Sequence, residues 1–496
     1  MDELKRLAQI IYKRGADHSI LLDIKNKKPK KEFILFEGLA EGRISNNEEA
    51  IKDLRIQEGS EASLRMIKSR LKKKLLNQLF FLSFKGQSFK SSHVLEHTCY
   101  ANIYQARVLM NEGAYDLALP ILKETLEIAK NNEFSDINYL CLRSLLHTYA
   151  NLGDKLAFNK IRSQLEGVIN TLKADQESEK MFLEAKIEIG HSISSRKKYL
   201  LIIDDVLQEM EQLWQEFKTF DTFYNYYSLF IWSQELKGDF NRIVEITNIS
   251  QELLESNKIN SSRFDHRYNK YIQVYSHLRA KKLEEGITLA NTYFSSFNPS
   301  SNNWFAFMEN YILLVLHAKK YESAHLLLHQ VVNNPFIKKI NKMAQERWTL
   351  FEAYLQFVSP QPEVSFRWQA LLQSVPSYSK DKEGYNVAIL ILQVMYNVET
   401  GETESLDYRM EALKKYAHKH FQDSFSERSR TFFKLLATMV QNDFDPVATQ
   451  KKGYYLYQKL QRISPPGDAY AEIEIIPYEH LWELILQRLQ RKVPLR

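Results

Sequence analysis

The stretch from His97 to Asn132 sets the tightest limit on how this chain can fold. It reads as a helix, a turn at Asn111-Glu112-Gly113, and a second helix from Tyr115 to Lys130. Gly113 accepts the positive φ that ends a helix. Tyr115 opens the second helix and fills the wedge between the two. Ala118 is small where the helices would cross, and Leu122 and Leu126 continue one face at i, i+4 spacing, ahead of Ala129. Such a hairpin cannot bury its apolar face alone, so it needs neighbours of the same kind.

Those neighbours are present. Taking the bulky residue in the Tyr115 slot as the marker, equivalents stand at Leu156, Tyr199, Phe240, Leu283 and Tyr321, 38 to 43 residues apart. Phe240 follows Gly238-Asp239, Tyr321 is followed by Ala324 in the small slot, and Gly286 takes that slot after Leu283. The Leu156 unit is about one residue out of register, and the Tyr199 unit matches least. Over about residues 92–335 the chain resembles the tetratricopeptide-repeat (TPR) family, in the broad sense of TPR-like helical-hairpin solenoids. It departs from that family in a spacing near 40 rather than about 34. It also lacks the first-helix Trp in most units and has Pro at a repeat end only at Pro335.

The resemblance implies an all-α fold: a right-handed α-solenoid of about nine stacked hairpins with an N-terminal basic helical segment. Three regions follow. Residues 1–90 are the basic segment, 91–335 the TPR-like repeats, and 336–496 divergent helical repeats closed by a C-terminal cap.

Composition narrows the class. Only 15 Gly and 12 Pro in 496 residues suit long helices and short connections. With 44% hydrophobic and 26% charged residues the chain is neither disordered nor membrane-embedded. The longest apolar run, Tyr311 to Leu316, is too short to span a bilayer. Met1-Asp2-Glu3-Leu4 lacks the basic and apolar regions of a secretory signal. Cys99 and Cys141 make no disulfide framework and read as small core residues of neighbouring hairpins. The expected setting is the reducing cytoplasm.

Charge is concentrated at one end. Residues 1–90 hold 20 Lys and Arg against 12 Asp and Glu, while the remaining 406 hold 47 against 49. A short amphipathic helix, Asp2 to Lys13, precedes a basic loop from Lys25 to Lys31. Phe33 to Glu41 reads as a helix. Ser45 with Glu48 forms a capping box for another ending near Leu54, and Ser60 caps a third from Glu61 to about Leu82. In that third helix Leu64, Ile67, Leu71, Leu75, Leu79 and Leu82 make one apolar stripe. Arg65, Lys68, Arg70, Lys72, Lys73 and Lys74 cover the other faces. A short helix, a Gly-containing turn and a basic helix outline a helix-turn-helix unit, which would place those six side chains on DNA phosphates or base edges. The competing reading is a helical cap with a solvated basic face, and the length of the helix favours the cap.

A dense aromatic cluster, Phe223, Tyr224, Tyr226, Tyr227, Phe230 and Trp232, has no Lys or Arg among its members. It therefore reads as hairpin packing, not as a base-stacking site. Beyond Pro335 helices are expected over Ala344–Val358, Phe366–Gln373, Glu383–Val398, Glu404–His420, Glu427–Val440, Tyr454–Gln461 and His480–Arg491, with Ala471–Ile476 extended.

Motifs for chemistry are missing. There is no G-x-x-x-x-G-K-[ST] or G-x-G-x-x-G phosphate cradle and no G-x-S-x-G elbow. His325 and His329 share a helix face, but Leu326-Leu327-Leu328 between them offers no catalytic Glu. The expectation is therefore a non-enzymatic scaffold without cofactor, metal or membrane, binding a peptide or protein in a groove lined by the first helices of successive hairpins. The alternative is a DNA-binding transcriptional regulator with an N-terminal helix-turn-helix and a TPR-like sensor domain.

Overall fold

The computed structural model describes residues 1–14, 31–56, 61–79, 91–360, 388–389, 391–396, 427–463 and 474–492. Among these residues every regular element is helical. The chain divides into compact units Met1–Lys173 and Ala174–Arg496. The expected basic loop before Lys31, the turn at 57–60, Leu82, and helices over 366–373 and 404–420 lie outside the described residues.

The first unit opens with α1 (Asp2–Arg14), α2 (Lys31–Ala40), α3 (Asn47–Asp53) and α4 (Glu61–Gln78). The α4 stripe Leu64, Ile67, Leu71 and Leu75 is buried against Leu4, Ala8 and Ile11 of α1 and Leu35, Phe36 and Leu39 of α2. Each such leucine contributes about 1.5–3 kcal/mol by leaving water, which outweighs any preference of the polar face. The cap of α3 falls one residue later than Ser45 and Glu48 predict. Asn46 Oδ1 accepts from the Glu49 N–H at 2.9 Å, and Glu49 accepts from the Ser45 N–H at 2.6 Å and its hydroxyl at 2.8 Å. Two capping boxes overlap in this stretch. Asn and Ser cap equally well, so the path of the entering chain decides between them.

Next come α5 (Ser91–Asn111), α6 (Tyr115–Asn131) and α7 (Ser135–Leu152), each packed on the next, with α5 also on α7. Ala118, Leu122 and Ala129 of α6 are fully buried with Cys99 of α5 and Cys141 of α7. Burial pushes the Cys99 thiol up to about 11 and the Cys141 thiol to about 12, so both behave as packing groups.

α8 (Lys155–His191) crosses the division between the units. It is one 37-residue helix where the repeat register expects a hairpin. Leu156 near its start is 85% exposed and wedges nothing. Ala, Leu, Lys, Glu and Gln dominate its length and supply no reason to stop. Tyr199 ends α9 (Ile193–Tyr199) instead of opening a helix, and the next, α10 (Ile203–Phe217), begins four residues later.

From there the expected register holds. α11 (Phe220–Lys237) is followed by α12 (Phe240–Glu255), and α13 (His266–Arg279) by α14 (Leu283–Tyr293). α15 (Asn302–His317), α16 (Tyr321–Val332) and α17 (Lys342–Val358) continue the series. Phe240, Leu283 and Tyr321 each open a second helix, as Tyr115 does. The residue three further on is interior in every case. Ala118, Ile243 and Ala324 are fully buried, and a Cβ on Gly286 would stand 2.8 Å from Leu314 Cδ2. Gly113, Glu133, Gly153, Gly238, Lys281 and Lys319 all have positive φ two residues before a helix start. The bonds are those of a Schellman turn at each: Lys320 N–H to Val315 O at 2.8 Å and Lys319 N–H to Leu316 O at 3.1 Å, for example. The turn therefore belongs to the hairpin, and glycine only makes it cheaper.

α18 (Glu427–Gln441), α19 (Pro446–Arg462) and α20 (Tyr478–Lys492) complete the described elements. α19 starts well before the expected Tyr454, because Asp445 Oδ1 caps it by accepting from the Ala448 N–H at 2.6 Å and Pro446 fits the first turn. The described part of 471–476 forms no strand.

Candidate functional site

Two places were open to a site on sequence grounds: the basic helix and the groove. On α4 the six cations do not share one surface. Lys68 donates to Asn47 Oδ1 at 3.1 Å, Lys72 meets Glu3 at 2.6 Å, and Lys74 meets Glu32 at 3.7 Å. These three hold the rims of α3, α1 and α2. Arg65 pairs with Glu61 on its own helix at 3.7 Å, both largely in solvent. Arg70 and Lys73 are exposed, on the side away from the buried stripe. Arg65, Arg70 and Lys73 are thus the cations that face solvent together.

The groove lies in the second unit. It has a volume of about 530 Å³ and is lined by α13, α15 and α17, with Glu235 from α11. Tyr268, Tyr271 and Tyr275 line it at i, i+3 and i+7 along one face of α13. Phe305 and Trp348 form a buried floor, while Tyr268 stands 41% exposed at the rim. Burial pushes the Tyr271 and Tyr275 hydroxyls up, so both stay protonated at neutral pH. Tyr275 hydrogen-bonds to Glu235, and Tyr271 pairs with Asn310. Arg347 donates to Glu309 Oε1 at 3.1 Å. The arrangement offers aromatic faces, amides and both signs of charge along one open channel.

A buried polar strut holds α13 in place. Tyr227 on α11 donates to Asn269 Oδ1 at 2.8 Å, and Asn269 Nδ2 donates to the Thr247 carbonyl on α12 at 3.1 Å. Burial raises the Tyr227 hydroxyl well above its usual range, which keeps it a donor. Phe223, Tyr226 and Phe230 are buried around it, so this aromatic cluster packs as read from the sequence.

Elsewhere in the unit Arg428, 1% exposed, is saturated. Nε and Nη2 grip Glu474 at 2.5 and 2.9 Å, and Nη2 also meets Glu479 at 2.7 Å. Nη1 donates to the Leu460 and Ile463 carbonyls at 2.9 and 2.8 Å. His317 Nε2–H donates to the Glu474 carbonyl at 2.8 Å. Burial, with Lys319 and His317 nearby, holds His480 down to about 4. These groups border a cleft of about 330 Å³ whose carboxylates are occupied from within.

His325 donates to the Ser359 carbonyl at 3.0 Å, and His329 accepts from Asn333 at 2.8 Å, so the pair is engaged separately. Among the described residues no group of three or more His, Cys, Asp or Glu stands close enough to hold a metal ion. No described helix is long and apolar enough to cross a membrane.

The groove residues were not named from the sequence. Counting back one helix from the Leu283 marker would have isolated Tyr268, Tyr271 and Tyr275, since their spacing marks one face. Arg347 and Trp348 gave no such signal, because they reach the groove only when α17 stacks on α15. No protein-family model matches this chain, and no curated protein matches it in sequence.

Proposed function

We propose that the protein is a non-enzymatic interaction scaffold whose channel between α11 and α17 takes an extended peptide or a helix of a protein partner. The observation that carries this reading is the convergence of α13, α15 and α17, with Glu235 of α11, on one aromatic, amide-lined groove. Volumes of this order accommodate a few side chains, and Tyr and Trp supply large contact area at low entropic cost. A right-handed TPR-like solenoid is the architecture that would repeat such a face, and the shared Schellman turns and the Tyr115, Phe240, Leu283 and Tyr321 openings support it. The reading requires no cofactor and expects a cytoplasmic protein.

The test compares tagged full-length protein with a Tyr268→Ala/Arg347→Glu variant, each recovered from its own lysate after nuclease treatment. A protein partner held by the parent and reduced at least about tenfold in the variant is expected, since interface aromatics and arginines carry most binding energy. Identical partner recovery from both would sink the reading. A second reading, DNA binding through α4, is favoured by the solvent-facing Arg65, Arg70 and Lys73. Reversing those three charges would then abolish duplex binding and its salt dependence.

A further inference from the structure

Helix α19 carries Lys451, Lys452, Lys459 and Arg462, and no acidic residue in its 17 positions. Its inward face is set by close packing. A Cβ on Gly453 would stand 3.1 Å from both Leu435 of α18 and Trp482 of α20, and Leu460 is fully buried. The opposite face is therefore turned out. It shows Tyr454 at 62% exposure and Tyr455 at 77%. Lys451 lies one turn before Tyr455 and Lys459 one turn after it, so cations and rings are neighbours on the helix surface. No ion pair joins Lys451, Lys452 or Arg462 to any described residue. Lys459 meets Glu427 at 2.6 Å, but both are well exposed, and such a pair opens at little cost.

We infer that this outer face of α19 binds single-stranded nucleic acid. Tyr454 and Tyr455 stack on bases while Lys451, Lys452 and Arg462 meet phosphates. Exposed rings interleaved with cations are the combination such sites need, and the buried cluster Phe223 to Trp232 lacks it. A duplex hides the base faces these rings would use. Protein interfaces enrich aromatics with Arg and deplete Lys, whereas three of the four cations here are Lys. An interfacial membrane helix needs a broad aliphatic face, and Val447 is the one large aliphatic residue strongly exposed on α19. The surface is separate from the groove and independent of its reading.

The test is fluorescence anisotropy of a labelled oligothymidylate with the full chain across a salt series. Binding that weakens steadily with salt is expected. Tyr454→Ala/Tyr455→Ala should lose about fivefold or more per ring with the salt slope unchanged, and Tyr454→Phe/Tyr455→Phe should retain affinity. Lys451→Glu/Lys452→Glu should weaken binding and flatten the slope. All these positions are exposed, and matching thermal melts keep a folding defect from imitating the result. The inference is overturned by absence of salt-sensitive binding, or by binding to phosphatidylserine vesicles without binding to the oligonucleotide. It is equally overturned by oligonucleotide binding that ignores the α19 variants and disappears on charge reversal at Arg65, Arg70 and Lys73.

Discussion

Arg428 and Arg347 are both arginines gripping glutamate in the same unit, and they stand in opposite relations to solvent. Arg428 is buried with five hydrogen bonds to protein groups, and its partners Glu474 and Glu479 are largely enclosed. Arg347 and Glu309 meet at 3.1 Å on the wall of an open groove, 29% and 18% exposed. A cluster whose charges are all satisfied internally has little left to offer a ligand and mainly ties segments together. Arg347 and Glu309 keep an open side toward the channel, where a ligand group could reach them. The clasp joins the start of α18 to the end of α19 and the start of α20, and the groove spans four helices without closing.

The largest expected effect tests that difference directly. Arg428→Met should destabilise the protein by about 3–5 kcal/mol in urea denaturation, because two carboxylates stay buried without their cation. Arg347→Met should cost less, about 1–3 kcal/mol, because a charged hydrogen bond is lost and both groups keep partial contact with solvent. Equal losses would erase the distinction between clasp and groove.

Tyr227→Phe comes next. It removes the donor to Asn269 and leaves a buried acceptor, at a cost of about 1–3 kcal/mol. If α13 depends on this strut, partner binding to the groove weakens as well as stability. An unchanged melt would show the strut to be dispensable.

Acid should separate the regions further. His480 and His317 are both held below the ordinary histidine value near 6.5, first by burial. Lys319 and Arg428 add to that effect, and Glu474, Glu479 and Glu483 oppose it. The unfolded chain therefore takes protons near 6.5 that His480 in the folded clasp refuses until about 4. Stability should fall as pH drops through that window, in proportion to proton uptake on unfolding. His480→Gln should flatten the slope in equilibrium denaturation, and an unaltered slope would assign the acid sensitivity to other groups.

The smallest effect concerns the clasp's periphery. Lys281 sits at φ 58° and only 3.9 Å from Glu479. Lys281→Gly relieves a left-handed strain of about 1–2 kcal/mol, offset by about 0.5–1 kcal/mol of glycine chain entropy. A gain of about 0.5 kcal/mol in the melt is expected on that balance. A clear loss would mean that the clasp extends to Lys281.

Much of the architecture could be read before any coordinates. Tyr115, Phe240, Leu283 and Tyr321 marked true helix starts because a wedge residue and a small neighbour answer a local need, the crossing of two adjacent helices. The α4 stripe was legible because burial on one face imposes helical spacing. Tyr199 misled for the complementary reason, while Leu156 stands one residue past the helix start that the Gly153 turn sets, as its register offset implied. A bulky residue at the right interval is not a turn, and the glycine inside α8, Gly167, continues the helix without ending it. The α3 cap slipped by one residue because two boxes overlap and only the path of the chain chooses between them.

The sequence by itself determined a helical chain, the length and register of most of its hairpins, and the concentration of positive charge in residues 1–90. Those properties follow from spacing within a turn or two, where side chains meet whatever the rest of the molecule does. Only the tertiary structure decided which side chains share a surface. Tyr271 meets Asn310 about one hairpin later, Arg428 meets Glu474 across an intervening helix, and Tyr454 and Tyr455 of α19 face outward because Gly453 faces in. Such meetings, and the inward turn of the third α19 tyrosine, Tyr457, onto Glu483 at 2.7 Å, depend on how helices stack, and stacking is set by the fit of whole faces, which no local pattern records.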